Sequence, residues 1–140
     1  IYGLDVDVFA PCALGAILND ETIPQLKVPV VAGGANNQLQ NEERHGQQLK
    51  ERDILYAPDY VINAGGLINV YHEIRGYNEA AARRHTESIY DTLLEIFDEA
   101  KQENIPTQHA SNRIAEKRIT SVKQLKGLRN SLDEQLWLNQ

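Results

Sequence analysis

The chain has 140 residues, of which 41% are hydrophobic and 24% charged, and this composition supports one globular core rather than two. Its formal net charge is −6 and its isoelectric point about 5.2, which excludes the basic surface that nucleic acids and anionic membranes require. We therefore expect neither a nucleic-acid partner nor a membrane partner.

The cysteine content and the apolar runs bear on location. Cys12 is the single cysteine, so no disulfide can form within the chain, and no secretory leader pattern stands at the start. The apolar runs are shorter than the roughly 18 residues that span a bilayer. These features predict a cytoplasmic protein. The chain begins at Ile1 and contains no methionine, which predicts that it is a piece of a longer polypeptide.

Short apolar runs alternate with helical patterns in the first half of the chain. The runs at residues 6–9, 28–32, 54–57 and 60–62 predict strands, and the second is apolar enough for a parallel strand buried on both faces. Between them, a short helix is predicted at residues 23–26 and a longer one at residues 41–52, with Asn41 as its N-cap. The alternation predicts an α/β fold with a doubly wound parallel sheet.

The second half of the sequence predicts helices alone. One should occupy residues 67–76 and end at Gly76, a second should run to about Glu103 with Asn78 as its cap, and a third should begin near Thr107. We divide the chain into residues 1–64, which contain the predicted strands; 65–119, a helical segment; and 120–140, a variable C-terminal tail that is predicted to be helical.

Three loops rich in small and amide residues should share one edge of the sheet. They are residues 10–15, 33–38 and 63–66, each after an apolar run. Ligands of open parallel sheets bind at the carboxyl ends of the strands, where small residues allow a flat ligand to approach and amides hydrogen-bond it. A carboxamide or a ribose would suit this edge.

Each loop also has a purely structural interpretation. The pairs Gly33–Gly34 and Gly65–Gly66 could be tight turns, and Asn36 and Asn37 could be turn or cap residues. Asn69 could be an ordinary helix residue, and we expect Cys12 to be a small packed residue without a covalent role.

Other familiar chemistries lack their patterns. The four histidines show no metal-ligand spacing, so no metal site is predicted. No Walker loop or Gly-x-Ser-x-Gly elbow is present, nor the Gly-x-Gly-x-x-Gly turn that normally binds a dinucleotide pyrophosphate. If the protein binds a dinucleotide, the first half of the nucleotide fold is missing from this chain.

At these loops the sequence resembles the C-terminal part of the leucine dehydrogenases, within the glutamate, leucine, phenylalanine and valine dehydrogenase family. The resemblance covers about residues 2–119 in unbroken order and is carried by residues 7–15, 19–26, 32–39, 43–46, 56–66 and 76–78. It implies the second half of a Rossmann-type doubly wound parallel sheet followed by C-terminal helices. Residues 1–64 would be the C-terminal half of an NAD-binding domain, and residues 65–119 would close that domain and lead back toward a substrate domain.

The resemblance also implies an activity and a set of site residues. The activity is NAD-dependent, reversible oxidative deamination of an apolar, leucine-like L-amino acid, carried out by a homo-oligomer. The implied cofactor-binding residues are Ala10, Pro11, Cys12, Ala13, Asn36, Asn37 and Asn63, and the implied substrate-pocket residues are Asn37, Leu67 and Val70. The family's catalytic lysine and aspartate belong to an N-terminal domain, so no catalytic residue is assigned here and the chain alone should be inactive.

Two departures concern the substrate. Leu67 stands where leucine dehydrogenases commonly have valine, and residues 71–75 differ from the usual acidic stretch before Gly-Tyr-Asn. The alternatives are a non-catalytic NAD-binding or interaction module derived from this family, and a different doubly wound nucleotide domain, which the ordered series of loops disfavours.

Overall fold

The computed structural model describes the backbone of residues 1–138 and the side chains of residues 1–125. In chain order the elements are β1 (Val8–Phe9), a 3-10 turn (Ile23–Gln25), β2 (Val30–Val31), α1 (Glu42–Glu51), β3 (Leu55–Tyr56), α2 (Asp59–Ile62), α3 (Gly65–Ile74), α4 (Glu79–Glu103) and α5 (Thr107–Leu138). Contacts divide the chain into a compact unit from Ile1 to Ala110 and a second unit that begins at Ser111. The side chains of the predicted helical tail beyond Leu125 lie outside the described residues, as do residues 139–140.

The three strands form one parallel sheet in the order β1-β2-β3. Val8 and Phe9 pair with Val30 and Val31, which pair in turn with Leu55 and Tyr56. Each strand is joined to the next by a segment containing a helical turn or helix, so the predicted alternation and the α/β class are confirmed.

The core lies where the segments between the strands cover the sheet. Its buried residues come from the sheet, the 3-10 turn, α1 and the connecting loops: Leu18, Ile23, Leu26, Val28, Val31, Leu39, Leu49, Ile54 and Tyr56. Val31 of the central strand is fully buried. This burial is what a strand covered by crossover segments requires.

Both predicted asparagine caps are confirmed. The side chain of Asn41 accepts a hydrogen bond from the Arg44 N–H at 2.9 Å, and that of Asn78 accepts one from the Ala81 N–H at 2.9 Å. Each satisfies a backbone donor that has no partner within its helix. Gly76, with φ of +87°, follows the end of α3 as predicted.

The fourth predicted strand, residues 60–62, is wrong. These residues belong to α2, where the N–H groups of Val61 and Ile62 both donate to the carbonyl of Pro58. Pro58 stands at the N-cap and Asp59 in the first turn, where an acidic side chain favours a helix. Only Val61 of the three is buried, so this run contributes one residue to the interior rather than a strand.

Candidate functional site

The first and second loops pack directly against each other beyond the ends of β1 and β2. The N–H of Ala35 donates to the carbonyl of Pro11 at 2.9 Å, and the N–H of Ala32 donates to that of Phe9 at 3.0 Å. Gly33 is buried against Pro11, and a Cβ at this position would overlap the Pro11 backbone. Gly33 therefore serves close packing between two loops, beyond the turn geometry that the sequence suggested.

The third loop reaches the second through a pair of amides. Asn63 is the C-cap of α2, and its Nδ2 donates to Oδ1 of Asn36 at 2.6 Å and lies 3.5 Å from the carbonyl of Gly34. Asn63 Oδ1 is left to accept from a ligand, and the Asn36 NH₂ to donate to one. Asn63 thus follows a helix rather than the strand predicted before it, yet it lies at the expected edge.

Asn37 presents its side chain to solvent from a left-handed backbone. Its φ is +52°, a conformation that asparagine tolerates better than most residues. Its carbonyl accepts a hydrogen bond from the N–H of Ala16 at 2.7 Å, which ties the end of the first loop to the second. Asn37 is exposed, and so is its neighbour Asn36.

The first loop presents small residues to solvent. Ala10, Cys12 and Ala13 are exposed, and Pro11 is buried beneath Gly33. The prediction that Cys12 is a packed residue is wrong, because the residue is exposed. Its Sγ accepts a weak hydrogen bond from the Gly34 N–H at 3.4 Å.

The predicted pocket residues Leu67 and Val70 lie on one face of α3 and are 75% and 49% exposed. Gly65 and Gly66 form the first turn of this helix instead of a turn before it. A Cβ at Gly66 would meet no atom within 4 Å, so the space beside the start of α3 is open. Asn69 is a helix residue, as the structural interpretation of the sequence expected, and it donates to Oε1 of Glu73 at 2.8 Å within α3.

Two residues that the sequence did not single out organise this edge. Gln38 is fully buried, and its Nε2 donates to the carbonyls of Gly33 and Ala35 at 2.6 and 2.9 Å. Its backbone N–H donates to Oδ2 of Asp59 at 2.9 Å. The position of Asp59 directly after Pro58 indicated a helix start, but no sequence pattern distinguishes Gln38 from the polar residues around it.

One titrating group nearby is strongly perturbed. Burial raises the pKa of the Tyr56 phenol far above its ordinary value of 10.0, and the neighbouring Asp59 carboxylate raises it further. Tyr56 is 3% exposed and ends β3, so its phenol remains neutral at physiological pH and cannot act as a base.

The arrangement suits a flat polar ligand rather than a metal. Exposed amides from two loops meet beside small residues from a third, which supplies both donors and acceptors for a carboxamide or ribose. Among the described residues, no group of three or more histidine, cysteine, aspartate or glutamate side chains could hold a metal ion. Two of the histidines lie together, since Nε2 of His72 is 3.3 Å from Nδ1 of His85.

Within residues 1–138, no helix combines the length and apolar character needed to cross a bilayer.

Comparison with known proteins gives one consistent family. The model of the Glutamate/Leucine/Phenylalanine/Valine dehydrogenase family matches residues 1–127. The L-tryptophan dehydrogenase of Nostoc punctiforme is 58% identical over 126 residues, which are 90% of this chain and 36% of that protein. The leucine dehydrogenase of Bacillus cereus is 55% identical over 135 residues, which are 95% of this chain and 37% of that protein.

Solved structures agree with the sequence relatives. The crystal structure of L-tryptophan dehydrogenase from Nostoc punctiforme matches 89% of this chain and 37% of its own with a TM-score of 0.85. A hetero-hexameric glutamate dehydrogenase from Thermus thermophilus, 19% identical, shares the fold over 89% of this chain and 31% of its own, with a TM-score of 0.71. The chain therefore spans just over a third of the length of the curated relatives it matches.

Proposed function

Because the chain belongs to the glutamate/leucine/phenylalanine/valine dehydrogenase family, we propose that it is the second half of the Rossmann-type NAD-binding domain of an L-amino acid dehydrogenase. The reaction is the reversible oxidative deamination of an apolar, leucine-like amino acid to its 2-oxo acid and ammonia. The bound NAD supplies the hydride acceptor. The observation that carries the proposal is the amide pair of Asn63 and Asn36 at the edge where three loops meet.

The chain's own residues bind and orient in this proposal. Asn63 Oδ1 accepts from the carboxamide of the nicotinamide, because its Nδ2 is already held by Asn36 Oδ1 at 2.6 Å. The backbone of residues 10–13, of which all but the buried Pro11 are exposed, would line the nucleotide ribose, and Asn37 would lie by the nicotinamide ribose and the substrate. A side chain held in place before the ligand arrives loses less conformational entropy on binding.

The substrate class follows from α3. Leu67 and Val70 expose apolar side chains on the helix that starts beside Asn63, and such side chains favour an apolar substrate over a charged one. The relatives' own names, leucine dehydrogenase and L-tryptophan dehydrogenase, are consistent with an apolar amino acid. We propose a branched-chain substrate, in a cytoplasmic homo-oligomer.

A hybrid enzyme tests the proposal. This chain replaces the matching 135 residues of the Bacillus cereus leucine dehydrogenase, which supplies the remainder of an enzyme. We expect the hybrid to reduce NAD⁺ with L-leucine and to be slower with L-tryptophan and slowest with L-glutamate, and we expect the 140-residue chain alone to be inactive. A folded hybrid that binds NAD⁺ without turnover would favour the non-catalytic module, and one that does not bind NAD⁺ would refute the proposal.

A pair of asparagine variants tests whether Asn63 belongs to the proposed NAD⁺ site. Asn63→Ala should raise the KM for NAD⁺ about tenfold, the equivalent of one good hydrogen bond. Asn69→Ala is the matched control, because Asn69 bonds Glu73 within α3 and should leave this KM unchanged. Equal effects of the two variants would remove Asn63 from the cofactor site.

A further inference from the structure

We infer that Gln38 is a positioning residue for the nucleotide site, fixing the backbone that carries Asn36 and Asn37 without itself touching the ligand. This inference rests on the proposed NAD-binding role of the three loops. Gln38 is fully buried within this chain, so its contacts do not depend on whatever surrounds the exposed loop surface.

The Gln38 amide supplies hydrogen bonds that the sheet cannot. β2 ends at Val31, so the carbonyls of Gly33 and Ala35 lie beyond the strand ladder. A buried carbonyl without a donor is costly, and the Nε2 group of Gln38 serves both, at 2.6 and 2.9 Å. One side chain thus fixes the turn immediately before Asn36.

The contacts of Gln38 extend to the other two loops. Gly33 and Ala35, whose carbonyls it holds, are the residues that pack on and hydrogen-bond to Pro11 of the first loop. Its backbone N–H donates to the carboxylate of Asp59, which begins α2, and α2 ends at the Asn63 cap. Gln38 therefore holds its own loop directly. It is linked to the first loop through Gly33 and Ala35 and to the third loop through Asp59.

A core-filling role alone does not account for glutamine here. The Oε1 atom of Gln38 is buried without a hydrogen-bond partner, a cost that an apolar side chain of the same size would avoid. The two Nε2 hydrogen bonds offset this cost, and they act on the loop and not on the core. The amide of Gln38 therefore stabilises the geometry of the loop.

The test compares variants of the hybrid enzyme. Gln38→Met keeps the volume and removes both donors. Gln108→Met is the matched control, because Gln108 is also buried, with 3% of its surface exposed, and its Nε2 donates at 2.7 Å to the Glu42 carbonyl of α1 rather than to a site loop. We expect Gln38→Met to raise the KM for NAD⁺ about tenfold with kcat changed less than about threefold, and Gln108→Met to leave both unchanged despite a similar fall in unfolding temperature.

A second variant supplies a readout that a packing role would not move. In Gln38→Glu, burial and the two facing carbonyl oxygens should raise the pKa of the new carboxyl, and its protonated form can donate one hydrogen bond. The dissociation constant of NADH, relative to wild type, should therefore fall about threefold or more from pH 9 to pH 6. The same ratio for Gln38→Met should stay constant.

The results distinguish failure of the proposed function from failure of the inference about Gln38. If the wild-type hybrid does not bind NADH, the proposed function fails and this inference fails with it. If the wild-type hybrid binds NADH and both Gln38 variants bind it as tightly as the wild type does, only the inference fails. It also fails if Gln38→Met unfolds the hybrid while Gln108→Met does not, since Gln38 would then support the whole unit instead of the loop.

Discussion

Adding one methyl group at Gly33 should separate the first two loops. The ideal Cβ would overlap the nitrogen and carbonyl oxygen of Pro11 and lie 2.5 Å from its Cδ. To reach ordinary carbon–carbon contact of about 3.5 Å, the Cδ atom must retreat by about 1 Å. That displacement strains the hydrogen bond from the Ala35 N–H to Pro11, which is 2.9 Å long. Overpacking of about 1–3 kcal/mol and a weakened hydrogen bond of about 1 kcal/mol give a loss of about 2–4 kcal/mol.

Gly34→Ala is the control for this experiment, because its Cβ would find only Sγ of Cys12, at 3.9 Å. In the hybrid enzyme, Gly33→Ala should lower the unfolding temperature by several degrees, at roughly 2–4 °C per kcal/mol, and raise the KM for NAD⁺. Gly34→Ala should change stability by less than about 0.5 kcal/mol. Thermal unfolding and steady-state kinetics measure both. Equal melting temperatures for the two variants would refute the close loop contact.

Three other predictions follow from single residues. Asn78→Ala should destabilise α4 by about 1 kcal/mol, since the Ala81 N–H loses its cap, and thermal unfolding measures this; no loss would contradict the cap. The folded state holds the Tyr56 proton more tightly than the unfolded state, so Tyr56 should make the free energy of unfolding fall as the pH rises above 10.0. Tyr56→Phe should make this fall shallower, which melting curves between about pH 9 and 11 would measure. Asn37→Gly keeps a backbone suited to its φ of +52°, so it should leave the unfolding temperature unchanged while raising the KM for L-leucine about fivefold; an unchanged KM would exclude Asn37 from the substrate pocket.

Local chemistry predicted the helices well. Asn41 and Asn78 were identified as caps because each stands immediately before a helical apolar pattern, and a cap is a contact within four residues of chain. The start of α5 at Thr107, directly after Pro106, is local in the same way. Such features need no knowledge of the rest of the fold.

The error at residues 60–62 shows the limit of apolar runs. Three apolar residues are too few for a period of 2 to be distinguished from a period of 3.6. The decisive signals were Pro58 and Asp59 before the run, which together favour the first turn of a helix. Asn63 still reached the expected edge, because the short α2 starts from the end of β3 at that same edge.

Convergence of the loops was predictable, whereas the means of holding them was not. Parallel strands bring their carboxyl ends together, so loops 10–15 and 33–38 had to be neighbours. The amide contact between Asn36 and Asn63 joins residues 27 positions apart, and the hydrogen bond from the Gln38 N–H to Asp59 joins residues 21 positions apart. No residue pattern in one sequence reports such contacts, and Gln38 looks like any polar residue before an apolar one.

Protection of Cys12 from alkylation tests the central claim most directly. Cys12 is the single cysteine of this chain, its thiol is exposed, and it lies in the first of the three loops beside Gly34. Peptide mass spectrometry of the hybrid enzyme can follow its reaction with iodoacetamide as NAD⁺ is added. If the three loops form one nucleotide surface, the alkylation rate should fall with saturating dependence on NAD⁺, and Asn63→Ala should need about ten times more NAD⁺ for the same protection. A Cys12 rate that does not change at saturating NAD⁺ would contradict the account.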